Sequence, residues 1–207
     1  MQLLHIDSSI NGDQSISRQL SQYITDAWCR QHPNTQVDYL DLAKHAPNHF
    51  NAASMALRNP AMTAEGGVDV EAESARTEEL LTQFLSADVL VIGAPFYNFT
   101  IPSQLKAWID RILQPGRTFR YSSEGPIGLA GGKKVWVASS RGGIYSNPVG
   151  QDLEHQESYL RVVFRFMGIE DVQFIHAEGI GKGPEASDQA LRTAKAEVDR
   201  LLGIEIH

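Results

Sequence analysis

Cysteine is almost absent from this chain. Cys29 is the only one in 207 residues, so no disulfide can close within it. It sits beside Trp28 in a helical pattern and reads as structural. Basic residues are outnumbered, 18 Lys and Arg against 25 Asp and Glu, for a formal net charge of −7. That balance argues against nucleic acid or an anionic membrane as partner. Long uncharged apolar runs are missing too. Met1-Gln-Leu-Leu-His-Ile-Asp7 meets a charge at once, so neither a membrane span nor a signal peptide is expected. A soluble cytoplasmic protein is the simplest fit. The length suits one domain, 1–207, with a sizeable core.

Several catalytic signatures are also missing. No Gly-x-Gly-x-x-Gly follows the first candidate strand, which excludes the usual dinucleotide fingerprint. Gly132-Lys133 is followed by Lys134 and precedes a strand, so it is not an NTPase phosphate loop. There is no Gly-x-Ser-x-Gly elbow. His45 and His49 lie in irregular sequence without an adjoining acid pair, and no metal site is expected.

What the chain does have is an alternation. Leu3–Ile6, Gln36–Leu40, Val89–Ile92, Lys134–Ala138 and Asp171–His176 read as strands, each followed by a helical segment. The helices are expected over Arg18–Gln31, Glu71–Leu85, Gln104–Leu113, Asp152–Met167 and Pro184–Leu202, with Ser103 as a plausible cap. Such a pattern implies a parallel sheet with helices on both faces, a three-layer α/β/α sandwich. From Ala43 to Asp69 periodicity is poor, and connections of that length are usually functional or mobile. Thr118–Tyr121 looks like part of a loop excursion, and Ser123–Gly128 is turn material.

Three segments at strand ends could carry chemistry. Ser9, Ser15 and Ser17 put hydroxyls where the first helix begins, and a helix N-terminus favours an anion such as a phosphate. Taken alone, Ser15 or Ser17 reads sooner as only an ordinary N-cap. Nearby Arg18 could add positive charge there, but a solvated helix residue is the plainer reading. After the third strand come Phe96, Tyr97, Asn98, Phe99 and Thr100: flat apolar surface with an amide and a hydroxyl. The plain alternative is a crossover loop whose rings pack on the core. After the fourth strand, Ser140-Arg141-Gly142-Gly143 offers close backbone approach and a fixed charge, or merely a tight turn with Arg141 in solvent.

The string Pro95-Phe-Tyr-Asn-Phe-Thr-Ile-Pro102, with Leu105-Lys106, resembles the flavin-contacting loop of FMN-dependent NADH:quinone oxidoreductases, the azoreductase family. The serine loop is similar to that family's Ser-x-Ser phosphate loop, and Ser140–Gly143 to its pyrimidine-binding turn. The resemblance runs over nearly the whole chain. It implies the flavodoxin-like strand order 2-1-3-4-5, with FMN at the switch point. It places Ser9, Ser15, Ile16 (through its N–H) and Ser17 at the FMN phosphate, and Phe96, Tyr97, Asn98, Phe99, Ser140, Arg141, Gly142 and Gly143 at the ring. Asn98, Tyr121 and Phe164 would face the substrate, one aromatic arriving from the partner of a homodimer; Phe164 also fits a core position. The implied activity is two-electron, ping-pong reduction of quinones and azo compounds by NADH through FMN. A single-electron carrier of flavodoxin type is the alternative. The long 43–69 segment and the 118–128 excursion favour an enzyme, since they could wall a pocket. Asp7 departs from the family pattern, which has a basic residue near the phosphate loop. A carboxylate there would weaken phosphate affinity.

Overall fold

A computed structural model of the chain describes residues 1–56, 58 and 69–204. Five parallel strands form one sheet: β1 (Gln2–Asp7), β2 (Gln36–Asp41), β3 (Val89–Pro95), β6 (Lys134–Arg141) and β7 (Asp171–Glu178). Their order is β2-β1-β3-β6-β7. Counting sheet strands alone, this is the expected 2-1-3-4-5. The other two, β4 (Phe119–Ser122) and β5 (Gly125–Gly128), pair antiparallel as a separate hairpin.

Burial follows position in the sheet. Every residue of central β3 is buried, whereas edge strand β2 is exposed at its first four residues. Side chains alternate between two apolar clusters. Leu4, Ile6, Leu90, Ile92, Val135 and Val137 join one, with residues of α3 (Val70–Ser86), α4 (Ser103–Ile112) and α6 (Gln156–Phe166). Leu3, Val89, Val91, Trp136 and Ala138 join the other, with α1 (Ile16–Gln31) and α7 (Pro184–Leu202). Successive strand residues point to opposite faces, so the two clusters lie on opposite sides of the sheet. Full burial of a side chain such as Phe84 contributes roughly 1.5–3 kcal/mol.

The sequence-based boundaries need several corrections. Helix α1 starts at Ile16, because Ser15 caps it by accepting from the Arg18 N–H. Pro102, not Ser103, is the N-cap of α4, and the Ser103 hydroxyl turns to Gln104. The helix expected over Asp152–Met167 is α6 alone, which starts only at Gln156; a separate turn, α5 (Pro148–Gln151), precedes the expected span. The Glu154 carboxylate accepts from the N–H groups of Gln156 and Glu157, which starts α6 there. Ser123–Gly128 supplies strand β5 besides its turn. Of the 43–69 segment, residues up to 56 include α2 (Ala52–Ala56), while most of 57–68 lies outside the described residues. Cys29 is partly buried, and burial, with the charge of Asp26, pushes its thiol up.

Candidate active site

The carboxyl ends of β1, β3 and β6 lie side by side. Asp7 registers with Gly93, and Pro95 with Ser140. The loops that follow are tied together. Phe96 N–H donates to the Ser140 carbonyl at 2.8 Å. The Ser8 N–H and hydroxyl both donate to the Gly93 carbonyl, at 3.1 and 2.7 Å. The hydroxyls of Ser9 and Tyr97 are 3.3 Å apart. Gly93 has no room for a side chain: a Cβ would sit 2.3 Å from Asp7 Oδ1.

In the first loop, the Ser15 and Ser17 hydroxyls are 3.0 Å apart. Ser9, Ser15 and Ser17 are buried at 1, 3 and 0 % exposure, so these hydroxyls line the inside of the loop. Ile10 to Gln14 are its exposed part. The Ile16 and Ser17 N–H groups precede the first backbone turn bond, from Gln19 N–H to the Ser15 carbonyl. They are the unpaired donors of a helix start, and they suit a phosphate.

Arg18 is not solvated. Its guanidinium donates to both Asp41 oxygens and to the Ser9 carbonyl. Burial opposes its charge, but the Asp41 hydrogen bond and the fields of Asp7 and Asp41 hold its pKa above the ordinary value. Asp7 is therefore not a free carboxylate against a phosphate. It accepts from Ser21 at 2.7 Å and Tyr39 at 3.0 Å, and lies 3.6 Å from Arg18. Burial, then the charge and hydrogen bond of Asp7, push the Tyr39 phenol up to about 12.

The second loop makes a tight reversal. Tyr97 and Thr100 exchange backbone hydrogen bonds, at 3.0 and 3.1 Å, around Asn98 and Phe99. Both central residues have positive φ, 47° and 72°. Asn tolerates that region; Phe does so at a cost of about 1–2 kcal/mol. Such strain clusters at functional sites. Phe96 packs on Phe99 edge-on at 6.5 Å and on Tyr145 at 4.5 Å. Tyr145 went unnoticed in the sequence, although it stands two residues after the Ser-Arg-Gly-Gly string.

At the third loop, the Arg141 side chain is 3 % exposed and paired with Glu154 and Glu178, each at 3.2 Å. Its Nε donates to Ser139, and the guanidinium lies 5.4 Å from the Phe96 ring centre. Its charge is thus taken up by two carboxylates, and the backbone of the turn is what remains for a ligand. Burial opposes the Glu178 charge, but hydrogen bonds from Ser146 and Tyr145 and the nearby Arg141 keep its carboxyl below the ordinary value. A Cβ at Gly142 would meet open space, leaving room for a ring edge against the chain.

Gln156 was also missed. Fully buried, it accepts from Ser139 Oγ at 2.5 Å and donates to the carbonyls of Ala94 and Pro95 at 3.2 Å. It fastens the end of β3 to β6 from α6.

Two expected substrate-side residues are not brought to these loops within one chain. Phe164 is fully buried in the core, so its assignment to a pocket is corrected: its helical spacing is that of a core residue. Tyr121 is 72 % exposed on the hairpin. That hairpin is anchored to the α6–β7 turn, where Gly128 meets Gly168 and Ala130 N–H donates to Met167, at the amino end of β7. Beside the second loop opens an apolar groove of about 520 Å³, lined by Ile10, Tyr97, Asn98, Ile101, Pro102 and Tyr159 among others. Among the described residues, no group of three or more His, Cys, Asp or Glu could hold a metal ion.

A switch-point crevice with a helix start, an aromatic loop and a glycine turn defines a flavodoxin-like protein, and the model of the flavodoxin-like fold family matches residues 1–202. An FMN-dependent NADH:quinone oxidoreductase of Acidovorax ebreus (strain TPSY) is 57 % identical over 200 residues, 96 % of this chain and 92 % of that protein. One of Laribacter hongkongensis (strain HLHK9) is 52 % identical over 205 residues, 98 % of this chain and all of that protein. Among solved structures, an azoreductase from Bacillus anthracis str. Sterne superposes with a TM-score of 0.85 at 27 % identity, covering 98 % of both chains. An FMN-dependent NADH-azoreductase from Bacillus anthracis str. Ames Ancestor, in complex with FMN, gives 0.82 at 27 % identity, covering 97 % of this chain and 99 % of that one. The chain belongs to the FMN-dependent NADH:quinone oxidoreductase family of flavodoxin-like proteins.

Proposed function

We propose that this protein is an FMN-dependent NADH:quinone oxidoreductase that also cleaves azo compounds reductively. The observation that carries the reading is the convergence of three loops, joined by the Phe96–Ser140 and Ser9–Tyr97 contacts, in a chain 57 % identical to an oxidoreductase of that name. When bound, FMN supplies the redox chemistry, taking electrons as a pair from NADH and yielding them to the acceptor. The chain's own part is binding and orientation. The start of α1, with the Ile16 and Ser17 N–H groups, holds the phosphate. Phe96, Tyr97 and Phe99 give the ring an apolar bed, and the backbone of Ser140–Gly143 meets its polar edge. Asn98 orients NADH and the acceptor, which use one place in turn.

The finer reading of the fold is a single domain, 1–207, of three layers, supported by core clusters on opposite faces of the sheet. The working form is a homodimer in which Tyr121 reaches the partner's site. Its 72 % exposure and its distance in the fold from its own loops support this. The place of work is the cytoplasm, without nucleic acid or membrane partners. No helix among the described residues is long and apolar enough to cross a membrane. A single-electron carrier finds no support, since the relatives cited are named oxidoreductases.

The test is direct. Purified protein should be yellow, or take up added FMN, and alone should turn over NADH with a small quinone. A colourless protein that fails to bind FMN would remove this reading, and FMN binding without turnover would restore the carrier.

A further inference from the structure

Arg18 occupies the third residue of α1, where the helix dipole disfavours a cation. Its side chain is nevertheless only 13 % exposed. The guanidinium fork spans two other parts of the chain. It meets both oxygens of Asp41, at the end of β2, at 2.6 and 3.0 Å. Nε and Nη2 donate to the Ser9 carbonyl at 3.2 and 2.9 Å. Nη1 also donates to the Tyr39 hydroxyl at 3.0 Å, which in turn donates to Asp7.

Arg18 faces two carboxylates, Asp7 at 3.6 Å and Asp41 at 2.6 Å, and the exposed Lys44 adds a longer contact to Asp41 at 3.7 Å. Arg18 is therefore no free counter-ion for a phosphate. What it grips is backbone. Ser9 is the residue whose hydroxyl accepts from the Asn11 N–H at 3.3 Å and touches Tyr97. Fixing its carbonyl fixes the start of the serine loop relative to α1, whose Ile16 and Ser17 N–H groups are the proposed phosphate donors.

We propose that Arg18 is a positioning residue for the phosphate loop: it clamps the Ser9 carbonyl against α1 and β2, and so sets the gap in which the FMN phosphate is held. The inference rests on the FMN reading above. Lysine cannot substitute, because a point-charge ammonium does not span the Ser9 carbonyl and both Asp41 oxygens in one plane.

The test compares two flavins. FMN-stripped wild type, R18K and R18M are titrated with FMN and with riboflavin, which lacks the phosphate, by flavin fluorescence quenching. R18K keeps a cation between Asp7 and Asp41 and so protects the fold, and apoprotein melting checks each variant. In both variants the FMN Kd should rise about tenfold or more, the scale of losing charge-assisted hydrogen bonds, while the riboflavin Kd moves by less than about twofold. Equal weakening of both flavins would make Arg18 merely structural and overturn the proposal. So would unchanged FMN affinity in R18K and R18M. Wild-type protein that binds neither flavin would overturn the FMN reading itself, a result visible before any variant is compared.

Discussion

The hydroxyls of Ser9 and Tyr97, 88 residues apart in sequence, lie 3.3 Å apart and join the serine loop to the aromatic loop. The contact lies where the two ends of one ligand would be divided between two loops. Tyr97→Phe deletes it while keeping the ring. A neutral hydrogen bond contributes about 0.5–1.5 kcal/mol. FMN affinity should therefore fall by up to about tenfold, with the melting temperature nearly unchanged. A fluorescence titration and a thermal melt measure both, and a variant that loses stability but not affinity would show that the contact only braces the fold.

Gln156 makes a sharper demand on stability. Gln156→Leu keeps the volume but leaves Ser139 Oγ and the Ala94 and Pro95 carbonyls without this partner in a buried place. Each unsatisfied buried group costs about 1–3 kcal/mol, so a loss of at least about 2 kcal/mol in denaturant unfolding is expected. A loss below about 0.5 kcal/mol, the range of ordinary surface changes, would contradict that.

How far the sequence could be read depended on how local each signal is. The apolar run of β3 and the helical face of α4 carry their own evidence, and both stand where expected. The start of α6 does not: Leu153 and Leu160 continue a helical spacing across a break where the Glu154 carboxylate accepts from Gln156 and Glu157 and the His155 N–H donates to the Phe99 carbonyl. Arg18 was misread because its partners come from β2 and from a carbonyl nine residues back. Its place in the first turn of a helix, against the dipole, was the available clue. The Phe164 spacing already pointed to the core, and the core is where it lies. For Arg141, sequence could offer a charge but not its two carboxylate partners.

Glu73 and Arg111 form a buried ion pair, and Asn48 and Ser54 also reach the carboxylate. Arg111 further donates to the Asn48 carbonyl at 3.0 Å, so the pair docks the start of the long 43–69 segment. Burial opposes the Glu73 charge, but the hydrogen bonds from Asn48 and Arg111 and the Arg111 charge lower its pKa below the ordinary 4.5. A lowered folded-state pKa means stability present above the unfolded value and lost as pH falls through the folded one. Glu73→Gln strands a buried guanidinium and should cost about 3–5 kcal/mol at neutral pH. The gap to wild type should narrow as pH drops below the ordinary carboxylate range. Urea unfolding of both proteins at several pH values measures it, and a gap independent of pH would show that the carboxylate charge is not what matters.

The last prediction concerns how two visitors share one site. Neither a dinucleotide fingerprint nor a clamp for a ribose phosphate is visible in the sequence. On the proposed function, Phe96–Phe99 would cover one face of the flavin ring, and NADH and acceptor would use the other in turn. Asn98 stands, exposed, at the crest of the tight reversal at φ 47°. Its change to alanine should slow both half-reactions, each measured separately by stopped flow, with FMN affinity nearly intact. Alternate occupancy also fixes the steady-state pattern. Initial rates against NADH at several fixed quinone levels should give parallel double-reciprocal lines. Intersecting lines would mean that NADH and quinone are bound together. That would require a second site.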